Sequence, residues 1–121
     1  MTMVFDIVHF NYTDRPIFDA FIDGKAGGTT SPYPATGGGS ISGVALVSGP
    51  KKVTWRLDGP PGMPRNGHTV SAKNVPMLTG VPPDARYLGV HIYPDTTVEL
   101  IPSRHYPRPT EKGVALAGKG V

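Results

Sequence analysis

Apolar and polar residues alternate with a period of two along several short runs, and glycine or proline closes each run. Successive side chains of a strand point to opposite faces, so this is the pattern of β-strands. Residues 52–58 carry it most cleanly. Val53, Trp55 and Leu57 fall on one face, and Lys52, Thr54, Arg56 and Asp58 on the other. The alternation predicts a half-buried strand with Trp55 as its core anchor. Residues 40–48 alternate in the same way, and the turn Ser48-Gly49-Pro50-Lys51 predicts that the two runs pair as a hairpin. Residues 4–12 are apolar on both faces, which predicts a largely buried strand. Thr13-Asp14-Arg15-Pro16 then reads as a turn. In 17–23, Phe18, Ala20 and Ile22 form a wholly apolar face that is expected to point inward.

The remaining segments extend the same picture. Residues 24–39 read as a long Gly/Pro-rich loop, and 59–66 as a stiff Pro-rich one. Strands are predicted over 67–75 and 86–93. Pro94-Asp95-Thr96 closes a last hairpin into 97–101. No window shows an i, i+3, i+4, i+7 apolar stripe free of proline and glycine, so no long helix is predicted. Beyond Pro102 the pattern fades. The expected fold is all-β: a two-sheet β-sandwich, immunoglobulin-like or a partly open barrel, with long Gly/Pro-rich loops. Residues 1–106 are expected to form a single domain and 107–121 a flexible C-terminal tail.

Sixteen glycines and fourteen prolines make up about a quarter of the 121 residues. In a chain without strand runs that share would read as disorder; here these residues punctuate strands. There is no cysteine, which excludes disulfides, thiolate nucleophiles and zinc knuckles. The net charge of +3 comes from scattered Lys and Arg residues, of which Lys51 and Lys52 alone are adjacent. Nucleic-acid binding needs clustered basic residues with stacking aromatics, so no nucleic-acid partner is expected. The surplus would favour an acidic partner on encounter. The opening residues lack a basic region followed by an apolar run, and no apolar stretch approaches the ~18 residues of a membrane span. The expected location is therefore cytoplasmic, or periplasmic if a longer precursor supplies a signal.

Candidate chemistry is sparse. His9, His68, His91 and His105 occur in no metal-binding spacing, and the expectation is no metal. The alternative is zinc gathered by strand histidines such as His9 and His91. Gly39-Ser40-Ile41-Ser42-Gly43 superficially resembles a nucleophile elbow but leads into a strand, not a helix. The triplet Gly37-Gly38-Gly39 lacks the helix and the Gly-Lys-Ser/Thr step of a phosphate cradle. Asp19 and Asp23 would lie ~13 Å apart along a strand, which suits a solvated face better than an acid–base pair. No catalytic residue and no cofactor is expected, and the chain is not read as an enzyme. Tyr33 between two prolines, Met63 and Arg65 in the Pro-rich loop, and Tyr106 are the candidate partner-binding residues. Interfaces favour aromatic, Met and Arg side chains, and stiff loops present them at low ordering cost.

The run Asn11-Tyr12-Thr13-Asp14-Arg15, then Phe21-Ile22-Asp23-Gly24, Gly27-Gly28, the glycine triplet with Ser40, and Val53-Thr54-Trp55 together resemble a bacterial domain-of-unknown-function family. The N-Y-T-D-R block is the most specific part, and the resemblance covers about residues 8–106. Many such proteins are small lipoproteins encoded beside type VI secretion lipase effectors, and some are taken to be immunity proteins. The resemblance implies an immunity, chaperone or adaptor protein that binds a cognate secreted effector. This chain departs from the pattern in having Ser40-Ile41-Ser42 where the family often has paired cysteines, and in lacking a lipobox. In the N-Y-T-D-R block, Asp14 is expected to accept a turn hydrogen bond and Arg15 to pair across a sheet. Two rival readings are a small-ligand or carbohydrate-binding sandwich and a structural component of a secretion apparatus. A convergent polar pocket at His9 or His91 would favour the first rival; long exposed edge strands would favour the second.

Overall fold

The computed structural model describes residues 2–34 and 40–118; the glycine triplet at 37–39 and the last residues of the predicted tail lie outside them. The strands are β1 (Thr2–Asn11), β2 (Ile17–Ile22), β3 (Lys25–Thr30), β4 (Ser40–Val47), β5 (Gly49–Pro50), β6 (Val53–Leu57), β7 (Thr69–Ser71), β8 (Met77–Leu78), β9 (Tyr87–Ile92) and β10 (Val98–Ser103). One helix, α1 (Glu111–Leu116), follows. The chain is an all-β sandwich. One sheet has the order β10-β9-β1-β4, the other β3-β2-β6-β7, and β5-β8 forms a small ribbon.

The core lies between the two four-stranded sheets. Phe5, Ile7, Val44, Leu46, Leu88, Val90, Ile92, Val98 and Leu100 of the first sheet meet Ile17, Ala20, Ile22, Val53, Trp55 and Leu57 of the second. Trp55 is 1% exposed, as the alternation of β6 requires. β1 is buried on both faces. Phe5 and Ile7 point into the core, while Val8, Phe10 and Tyr12 join Tyr93 in a second apolar cluster on the outer face of the sheet. Pairing of β1 with β9 is parallel, with Phe10 opposite His91, and the β9–β10 hairpin closes antiparallel.

Four expectations are corrected. Residues 40–48 and 52–58 are not a hairpin: β4 pairs with β1 and β6 with β2 and β7, so the two runs face each other across the core. Gly49, at φ 112°, turns the chain, and Gly49–Pro50 pairs with Met77–Leu78 instead. In β2, Ile17, Ala20 and Ile22 point inward, not Phe18. Asp19 adopts φ 48°, and the resulting bulge shifts the register to both neighbouring strands. It leaves Phe18 outside, under the Arg56 guanidinium at 4.9 Å. The first part of the predicted 24–39 loop is strand β3. Its glycines are required by packing: a Cβ at Gly28 would lie 2.8 Å from Nδ1 of His9. The strand predicted over 67–75 shrinks to three residues.

The predicted tail differs most. Over 105–117 the chain crosses the outer face of the first sheet and ends in α1, which Thr110 caps by accepting a hydrogen bond from the Gly113 amide. Among the described residues, no helix is long and apolar enough to cross a membrane.

Candidate functional site

Two built features stand out, one at the loop end of the sandwich and one on its outer face. The first grows from the N-Y-T-D-R block. Asn11, buried at the end of β1, donates to the Arg15 carbonyl at 2.8 Å and accepts from the Thr13 amide at 2.9 Å, closing the turn. The turn acceptor is thus Asn11; Asp14 is exposed. Arg15 does not pair across a sheet with a carboxylate. Its side chain donates to the Asp58 carbonyl (2.8 Å), the Pro64 carbonyl (3.0 Å) and Asn66 Oδ1 (2.7 Å). A planar guanidinium can reach three acceptors at fixed angles, which an ammonium cannot. The Pro-rich loop is therefore pinned at its start and near its end by one buried side chain.

The loop also holds itself. Met63 donates its amide to the Pro60 carbonyl, Gly67 to the Leu57 carbonyl, and Asn66 Nδ2 to the Pro60 carbonyl. Arg65, near the end of the loop, is exposed with φ 64°, and the half-buried Met63 folds back onto Gly59. Arg65 shares a small cleft of about 140 Å³ with the 13–15 turn and with Pro94 and Thr96 of the last hairpin. Tyr33 is tied to the end of β1, where its amide donates to the Asn11 carbonyl at 2.8 Å and its ring leans on Tyr12. Met63 and Arg65 thus share one loop, and Tyr33 stands beside the turn that anchors it. Tyr106 lies apart, edge-on to Tyr87 at the start of β9.

The second feature was not anticipated from the sequence. Parallel pairing of β1 with β9 stacks Phe10 on His91 at 4.5 Å and 6°, and Tyr12 on Tyr93 at 5.5 Å and 13°. The C-terminal segment locks this layer. The Thr110 amide donates to the Tyr12 hydroxyl at 3.1 Å, and the Tyr12 hydroxyl lies 2.9 Å from His91 Nδ1. Tyr93 donates to Glu99 at 2.6 Å and meets the Thr110 hydroxyl at 3.0 Å. Gly113 lies flat against Tyr12, where a Cβ would overlap the ring, and Lys112 places its ammonium 4.3 Å from the Tyr93 ring centre.

Electrostatics follow from this burial. Desolvation pushes His91 down to about 4 against the opposing pull of Glu99, so the ring is neutral at pH 7. Tyr93 is pushed up to about 12, by burial first and by the Glu99 carboxylate next. The Tyr12 oxygen accepts from the Thr110 amide and shares a hydrogen bond with Nδ1 of His91 whose direction is set by the imidazole tautomer. Nε2 faces Gly89 and Pro107, at a cleft of about 300 Å³ between the outer face of β9–β10 and residues 105–108.

His9, also pushed to about 4 by burial, with the Ala20 carbonyl acting in the opposite direction, does not meet His91. Phe10, not His9, is the partner of His91, so alternation sends the two rings to opposite faces of the sheet. Among the described residues, no group of three His, Asp or Glu side chains is placed to hold a metal ion. Asp19 and Asp23 form no pair: Asp19 lies 3.5 Å from Arg56, and Asp23 accepts from the buried Lys51 ammonium at 2.9 Å and the Lys52 amide at 2.7 Å. The sequence signal for the aromatic layer was the repeated spacing in Phe10/Tyr12 and His91/Tyr93; the non-local strand pairing that joins the two was not readable from it. No family model, curated protein or solved structure matches the chain, and the resemblance carried by the N-Y-T-D-R block stands on those residues alone.

Proposed function

We propose that this domain is a protein-binding module whose contact surface is the loop end of the sandwich, with Arg65, Met63 and Tyr33 as its anchors. The observation that supports this reading is the Arg15 staple. One buried guanidinium holds an exposed loop at three acceptors, so the loop meets a partner with little conformational freedom left to lose. A packing role alone would not require an exposed, stiffened loop that carries a cation. The weak positive charge adds attraction for an acidic partner surface. Combined with the resemblance described above, the proposed partner is a cognate secreted effector, neutralised or chaperoned by occlusion of one of its surfaces.

The test is co-purification of this chain with the product of its neighbouring gene, followed by titration of Arg65→Glu and Met63→Ala. The expected complex is nanomolar, which corresponds to ~12 kcal/mol. Arg65→Glu is expected to weaken it by at least tenfold with no change in melting temperature. Unchanged affinity in both variants would remove the loop end as the binding surface, and failure of any neighbour to bind would remove the effector reading.

A further inference from the structure

We propose that Asn66–Gly67 is a deamidation site that the Arg15 staple holds closed, and that opening of the Pro-rich loop there puts a carboxylate beside Arg65. Asn66–Gly67 is the one Asn-Gly step in the chain; Asn11 and Asn74 are followed by Tyr12 and Val75. The reaction needs water and no cofactor. The Gly67 amide nitrogen gives its proton to solvent base and attacks Cγ of Asn66. The Cγ–Nδ2 bond breaks, Nδ2 takes up a proton from water and leaves as ammonia, and a cyclic succinimide closes. Water then opens that ring at either carbonyl. One opening gives aspartate; the other gives isoaspartate, whose main chain runs through the side-chain carbon. A side chain on the following residue would crowd the attack, and glycine has none. Asn66 is exposed, so base and water reach it.

In the closed loop the geometry opposes these steps. Arg15 Nη2 donates to Asn66 Oδ1 at 2.7 Å, and Asn66 Nδ2 donates to the Pro60 carbonyl at 3.0 Å. Both ends of the side-chain amide are held, and it is not free to turn onto its own main chain. The Gly67 amide donates to the Leu57 carbonyl at 2.7 Å, a short bond that keeps its proton in place and directs it at β6. These bonds must open before the ring closes. Arg15 ties them to the fold, because the same guanidinium also holds the Asp58 and Pro64 carbonyls. Chemistry that needs an open segment runs at the rate of the open chain scaled by the fraction of time the segment is open. The product then alters the loop. Aspartate still accepts from Arg15 but no longer donates to Pro60, and isoaspartate lengthens the main chain and draws Gly67 away from Leu57. Either one sets a negative charge next to the Arg65 cation.

The full chain is incubated in mildly alkaline buffer beside a synthetic peptide of residues 60–72, and digests are followed by mass spectrometry for conversion of the amide to the acid and for the isoaspartate isomer. The peptide has no Arg15 to hold it and is the open reference. The readout is the chain itself, so the outcome does not depend on the protein-binding reading. Modification is expected at Asn66 and at neither Asn11 nor Asn74, about tenfold or more slower in the folded chain than in the peptide. Arg15→Lys is expected to raise the rate by about tenfold while the fluorescence of buried Trp55 shows that the sandwich stays folded. A second measurement needs no variant. In the native chain, urea below the unfolding midpoint is expected to accelerate modification before Trp55 fluorescence changes, because the loop opens ahead of the sandwich. A folded chain that reacts as fast as the peptide, a folded Arg15→Lys chain that reacts no faster than the native one, or acceleration by urea that appears only with the Trp55 transition would each overturn the proposal.

Discussion

Replacing Gly113 by alanine separates a docked C-terminal helix from a merely local one, because the two cases predict opposite signs. In an undocked helix the change is favourable by up to ~1 kcal/mol, since alanine loses less backbone freedom than glycine on becoming helical. In the docked arrangement the new methyl overlaps the Tyr12 ring. That ring cannot step aside: it is fully buried, stacked on His91 and Tyr93, and held at its hydroxyl by Thr110. Overpacking of such a site costs about 1–3 kcal/mol. The cost cannot exceed the docking free energy of the segment, because beyond that point 105–117 lifts away while the sandwich stays folded. Set against the helix gain, a net loss of about 1–2 kcal/mol is expected, or roughly 4–8 °C in melting temperature for a chain of this size. Urea denaturation followed by the fluorescence of buried Trp55 measures the loss, and hydrogen exchange at the Thr110 and Gly113 amides locates it. Equal or higher stability in Gly113→Ala, with unchanged exchange, would refute the docking of α1 on Tyr12.

Three further outcomes are expected. Trp55→Ala should cost about 3–5 kcal/mol in urea denaturation, the range for emptying a large aromatic site in a close-packed core; a cost below 1 kcal/mol would mean that β6 faces the other way. Arg15→Lys should free the Pro-rich loop, raising proteolysis within 59–66 and costing about 2 kcal/mol, because one ammonium nitrogen cannot reach the acceptors that Nε, Nη1 and Nη2 reach separately; wild-type protease resistance would contradict the staple. Stability should fall as pH drops from 6.5 towards 4, since the folded state holds His9 and His91 near 4 while the unfolded chain takes up protons around 6.5. The contribution is fully present above pH 6.5. It is on the order of 3 kcal/mol for His91 and smaller for the partly exposed His9; denaturation midpoints that stay constant between pH 7 and 4.5 would show that both rings are solvated.

Local alternation carried the all-β class, the inward face of β6 and the β9–β10 hairpin, because each depends on neighbouring residues. It failed where pairing is non-local or the backbone leaves the regular strand. The bulge at Asp19 reversed the facing of Phe18, since one left-handed residue inserts a half-period that no hydrophobic pattern displays. β4 and β6 were read as neighbours because a Gly-Pro turn joins them, yet the same turn can carry a chain from one sheet to the other. α1 has six residues, too few for an apolar stripe, and it docks through a glycine that sequence reasoning takes for a sign of looseness. Of the binding candidates, the stiffness around Met63 and Arg65 was readable from the prolines. Its cause, a distant arginine donating to backbone carbonyls, was not. The aromatic layer depends on Tyr12, His91 and Thr110 converging from three segments, and no local window contains more than one of them.

The parallel partnership of β1 and β9 sets an order of events during synthesis. β1 is an inner strand of its sheet, yet β9, β10 and the covering segment are made well after it. Until then Phe10 and Tyr12 lie uncovered on one face, and one edge of β1 offers free amides and carbonyls. Contacts between segments so far apart in the chain form slowly, and the waiting strand is a sticky one. Translation stalled in the eighties would release a product with its β4 pairing available and its other edge open. Shortening the chain before Thr110 would leave the aromatic layer bare in the finished protein. Aggregation during expression, more than any defect of the mature fold, is where damage to the C-terminal third of this chain should first be seen.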